Sequence, residues 1–164
     1  MSVLPGAQLA KSGIVSGIKS PKQQIQPAGV DLTVLRIESF KTRPSFASDS
    51  LKATMAREAP RRGPTYELKA GSYRLTFSEV IRLPDMCCGL VLPRSSLLRS
   101  GVTVHTALWD PGYRGRGCVL LLVLNRRGAT ISVGARVAQL VVFQLAHRPH
   151  STYSGRYQCE GLGD

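Results

Sequence analysis

At 164 residues and 43% hydrophobic content, the chain is long enough to bury one real core and reads as a single domain over 1–164. Its longest apolar run, 118–124, is far too short to span a bilayer, and no basic-then-apolar signal opens it, so a cytoplasmic protein with no membrane partner is expected. The formal net charge of +12 attracts polyanions, while Cys87, Cys88, Cys118 and Cys159 lack zinc-site spacing, which disfavours the zinc-dependent nucleobase deaminases. All six lysines lie at or before Lys69, and beyond it every basic side chain except histidine is arginine. An arginine-only region suits directed phosphate recognition, and it equally suits a biased genome composition.

Taken in order, residues 1–20 carry Ala7, Leu9, Ala10 and Ile14 at roughly helical spacing, ended by Gly13 or Gly17. Residues 21–27 read as loop and 30–37 as a strand. Residues 41–64, with three prolines and several serines, read as an irregular surface excursion with no assigned chemistry. Strands are predicted over 66–68, 73–77, 80–83 and 88–92. Ser95 or Ser96 can cap a short helix through Leu97 and Leu98, stopped at Gly101. Residues 102–109 suit a strand or hairpin arm, and Asp110-Pro111-Gly112 turns the chain. The run 118–124 predicts a buried strand, followed by a hairpin turn at 125–128 and further strands to 145. Many short strands with close turn signals make the fold class mainly all-β, a sandwich or barrel.

Two clusters carry chemistry. RSSLLR offers helix-start N–H groups and the arginine forks of Arg94 and Arg99 for phosphate, or else a capped turn with solvated arginines. Asp110 is the only acidic residue between Asp85 and Glu160. It is therefore either a general base able to deprotonate a water or a turn aspartate bonding its own backbone. Asp31 reads as a turn cap, Tyr113 as a turn-packing aromatic and Gln139 as a sheet-edge hydrogen bonder.

Five ordered segments change the balance: QPAGVDL at 26–32, PRSSLLR at 93–99, WDPGYRG at 109–115, GARVAQL at 134–140 and YSGRYQ at 153–158. Together they resemble the dUTPase and dCTP deaminase superfamily in its archaeal-type branch. The resemblance implies a distorted jelly-roll (β-clip) fold and a homotrimer with shared active sites. It implies Mg2+-dependent hydrolysis of dUTP to dUMP and pyrophosphate, a step in sanitising the nucleotide pool. In that reading Asp110 activates water and Arg94, Ser95, Ser96, Arg99 and Gln139 hold the phosphates. Asp31 holds a water on the magnesium, and Tyr113 lies against deoxyribose. The arm of Val104, His105 and Thr106 reads uracil through main-chain groups, and Tyr153, Arg156 and Gln158 belong to a C-terminal segment, 150–164, that closes over the nucleotide.

Two departures matter. Ala135 stands where dUTPases usually have aspartate, and Cys159-Glu160 replaces the glycine-glutamine of the deaminase-like tail. Deaminases of the superfamily place a glutamate three residues before an asparagine, and here that position is Leu122, before Asn125. An alkyl chain cannot move a proton. A dCTP deaminase or a bifunctional enzyme is thus the alternative, followed by a non-catalytic nucleic-acid binder on the same fold. A nucleic-acid partner is not expected, because a carboxylate among phosphate ligands repels the anion.

Overall fold

The computed structural model describes residues 2–48 and 50–163; Met1, Asp49 and Asp164 lie outside the described residues. Strands dominate, and every recorded strand pairing is antiparallel. The largest sheet is built around the twelve-residue strand Gly29–Phe40. One edge of it pairs with Arg136–Gln144 and the other with Gly71–Phe77, which leads on to Cys118–Val123 and Val102–His105. Cys87–Pro93 takes the far edge of Arg136–Gln144. Val30, Leu32, Val34 and Ile37 are fully buried, as are Leu75 and Phe77 on the neighbouring strand. Each such side chain contributes roughly 1.5–3 kcal/mol by leaving water, so truncating Leu75 to alanine is expected to cost about 2–5 kcal/mol.

Gly29 shows why the first sequence segment needs its glycine. A Cβ there would run into the carbonyl oxygen of Leu140 and the Gln139 side chain. Only a residue without a side chain lets the two central strands lie this close. The register between them slips by one residue between Arg136 and Ala138.

The β class and most strand positions agree with the sequence reading, with four corrections. Residues 21–27 are not plain loop: Pro21–Gln24 is a helical turn with proline in its first turn, and Ile25–Gln26 pairs with Gly29 and Val30. The 41–64 stretch is partly ordered: Ser45–Ala47 and Ser50–Lys52 form a hairpin, Ala56–Glu58 pairs with the end of the central strand, and Arg61–Arg62 pairs with Thr65 and Tyr66. Two- and three-residue strands are too short to leave an alternating pattern. Arg94 occupies the N-cap position of the Ser95–Arg99 helix without a side-chain capping bond, so Ser95 and Ser96 are its first residues and not its caps. The 118–124 run is not a doubly covered strand, since Leu120 is 37% and Leu124 67% exposed. Continuous apolarity there hides a sheet with one open face.

Candidate active site

Asp110, Pro111 and Gly112 form the predicted turn, closed by the Tyr113 N–H on the Asp110 carbonyl at 3.1 Å, with Gly112 at φ 84°. Trp109 fixes where that turn sits: its N–H and carbonyl exchange 2.9 Å bonds with Gly89. Gly112 and Tyr113 bond Leu83 as well. The Asp110 side chain is exposed and, among the described residues, makes no ion pair and does not bond its own turn. It borders a cavity of about 380 Å³ whose walls include Ala107, Leu108, Trp109, Tyr113, Arg74 and Cys118. A sugar and base fit such a space. The Tyr113 ring is stacked on Trp109 at 5.6 Å and meets the edge of Tyr153 at 5.8 Å. Of the predicted arm, Val104 is buried, His105 exposed, and Thr106 bonds the Ala107 carbonyl at 2.6 Å. The arm residues that line the cavity are Ala107 and Leu108. Burial pushes the Cys118 thiol up to about 11, so it is protonated at neutral pH and unsuited to nucleophilic attack.

The other predicted ligands form a separate group. Asp31 is 2% exposed, and its Oδ2 is paired with Arg94 Nε at 3.0 Å and Arg136 Nη1 at 3.3 Å. Burial raises its carboxyl above the ordinary aspartate range, although both guanidinium groups oppose that. Gln139 lies directly across from Asp31 in the sheet. Ser95, Ser96 and Arg99 are exposed on the short helix that follows Arg94. None of these residues lines the Asp110 cavity. Arg94 lies five positions on from Gly89, which faces Trp109, and that amounts to roughly 17 Å of extended chain. Within one chain, therefore, Asp110 and the arginine-serine cradle do not converge.

No group of three or more His, Cys, Asp or Glu side chains suited to a metal exists among the described residues. A metal held directly by protein ligands does not fit. Among the described residues, the one carboxylate beside the arginine cluster is Asp31, paired with Arg94 and Arg136.

The tail packs against the Asp110 turn of its own chain. Tyr153 N–H bonds the Pro111 carbonyl at 2.7 Å, Gln158 bonds the Gly112 carbonyl at 2.9 Å, and Cys159 N–H bonds the Arg114 carbonyl at 2.7 Å. Arg156 is exposed. Sequence reasoning missed Glu160, which enters the cavity and accepts the Tyr113 hydroxyl at 2.7 Å. Asp110 is thus not the only carboxylate at this cavity, and no spacing rule would have brought a residue fifty positions away back to it. It also missed Arg74, held against Glu38 by two bonds of 2.9 and 2.8 Å. A third omission is Glu79, fully buried and bonded by Gln24 at 2.7 Å and by Thr33 at 2.9 and 2.7 Å. Gln24 also donates to the Asp31 carbonyl at 3.0 Å, so this network steadies the strand that carries Asp31.

Residues 6–145 match the family described as dCTP deaminase-like. The chain is 42% identical to a probable deoxyuridine 5'-triphosphate nucleotidohydrolase of Aeropyrum pernix, over 97% of this chain and 99% of that relative. In fold it is similar to the 2'-deoxycytidine 5'-triphosphate deaminase of Agrobacterium tumefaciens, with TM-score 0.64 and 18% identity over 85% of this chain and 46% of the deaminase. It is also similar to the dUTPase of Staphylococcus bacteriophage 80alpha, with TM-score 0.50 and 12% identity over 86% and 95% of the two chains.

Proposed function

This chain belongs to the dCTP deaminase-like family of the dUTPase superfamily, and from that membership we propose that it is a dUTP diphosphatase. Asp110 orients a water and takes its proton as the oxygen attacks the α-phosphorus of dUTP. The bond to the bridging oxygen breaks, and dUMP and pyrophosphate leave. Arg94, Ser95, Ser96, Arg99 and Gln139 grip the phosphates. Tyr113 lies at the sugar, and the 104–108 arm meets the base. Tyr153, Arg156 and Gln158 bring the tail over the nucleotide. Where magnesium accompanies the nucleotide, Asp31 would hold its water, and the ion would supply electrostatic stabilisation of phosphate charge.

One observation carries this reading: an exposed Asp110, unpaired among the described residues, at the rim of the cavity walled by Tyr113. A general base must come within about 3 Å of its water, yet the phosphate cradle of the same chain lies roughly 17 Å away along the extended chain. The site is therefore completed by a second copy, in keeping with a homotrimer. One domain and a cytoplasmic place in nucleotide-pool sanitation complete the proposal.

The second reading, dCTP deamination, is favoured by Glu160 in the cavity and opposed by Leu122 on the strand. Incubation with dUTP, dCTP and UTP plus magnesium separates the two. Pyrophosphate from dUTP alone supports hydrolysis. Ammonia from dCTP would overturn it in favour of deamination.

A further inference from the structure

Glu160 is the carboxylate in the cavity, beside Asp110, that the proposed reaction does not use. Around it the tail runs along its own chain's 111–116 loop through bonds that are mostly main-chain or amide. Arg114 N–H meets Gln158 Oε1 at 2.9 Å, Arg116 N–H meets the Glu160 carbonyl at 2.9 Å, and Arg116 Nε meets the Gly161 carbonyl at 3.0 Å. Cys159 sits at φ 64°, the only non-glycine residue in the left-handed region among the described residues. That turn keeps its N–H on the Arg114 carbonyl while the next side chain enters the cavity. A Cβ on Gly115 would strike both the Tyr113 hydroxyl and Glu160, so the two are packed as well as bonded. Arg74 and Cys118 are the other ionisable groups beside the carboxylate, and Arg74 is itself held by Glu38.

We propose that Glu160 is a positioning residue: by accepting the Tyr113 hydroxyl it clasps the tail to its own chain and fixes the ring against which deoxyribose is selected. The sugar part rests on the dUTP reading above; the clasp does not. Trp109 and Tyr153 restrain the ring by contact alone, and Glu160 restrains its hydroxyl end. Removing that acceptor leaves a buried hydroxyl unpaired and lets the ring recede, which makes room for a 2′-hydroxyl. Glutamine keeps an acceptor at the same reach and supports the same contact.

The test has two arms. Emission from Trp109, the chain's one tryptophan, reads the clasp without nucleotide. E160A and Y113F are expected to shift it, and E160Q to return it toward the parent protein. Unchanged emission in E160A overturns the clasp whatever the activity. The second arm is the ratio of kcat/KM for dUTP over UTP. It is expected to fall about tenfold in E160A and Y113F, to fall no further in the double variant, and to recover in E160Q. A parent ratio retained by E160A, with its Trp109 emission shifted, overturns the sugar-selecting role. A parent protein that cleaves neither nucleotide overturns the dUTP reading and the sugar role with it, and leaves the clasp to the emission arm.

Discussion

Asp31 and Asp110 are the same side chain in opposite settings. Asp31 is buried between two guanidinium groups, on a strand braced by the Gln24–Glu79 network. Asp110 stands exposed at a turn, unpaired among the described residues. A paired buried carboxylate cannot leave its partners without stranding charge, so it holds geometry. An unpaired one at a cavity rim is available to a water. The two lie in groups that one chain does not bring together, which makes the contrast testable residue by residue.

The largest expected effect is Asp110→Asn, which should slow turnover by about three powers of ten while leaving nucleotide binding and thermal stability near the parent values. Near-parent turnover would mean the base is misassigned. Next is mixing. Two inactive variants, Asp110→Asn and Arg94→Ala, refolded together should regain activity at about a quarter of their sites if each site takes its halves from different chains of a closed ring. No recovery in the mixture would place both halves in one chain and break the comparison. Arg94→Ala alone should also destabilise the fold by about 2 kcal/mol in denaturant titration. That lies below the usual cost of breaking a buried pair because Arg136 stays on Asp31.

The smallest effect concerns pH. Burial holds the Glu160 carboxyl above the ordinary glutamate value of 4.5, against the opposing pull of the Tyr113 bond and Arg74. A raised carboxyl favours the docked tail while protonated. Docking is therefore tightest below pH 4.5 and loosens as pH rises through the raised value. Trp109 emission in the parent should follow that direction, and the dependence should vanish in E160Q.

Much of this was legible in the chain, for reasons that can be named. The central strand announced itself through alternation at 30–37, and the Pro-Gly pair after Asp110 through turn chemistry. Both are local signals. What stayed hidden is non-local or sub-threshold. Glu160 reaches the cavity only because the tail folds back, and Arg136 reaches Asp31 from a hundred residues away. Glu79 is one acid between two strands until Gln24 and Thr33 close around it. The serines of 95–96 look like caps because serine usually caps, yet Arg94 already fills that place. The open face of Cys118–Val123 could not be read from an unbroken run of apolar residues.

The one-residue slip between Arg136 and Ala138 has a bearing on how this lineage can drift. Arg136 lies opposite Thr33 and Gln139 opposite Asp31, so both look toward the same side of the sheet although three positions separate them. In an unbroken pleat an odd interval would send them to opposite sides. The extra residue, Val137, restores parity. Deleting it would turn either Arg136 away from Asp31 or Gln139 to the opposite face of the sheet, so the interval between the two matters as well as their identities.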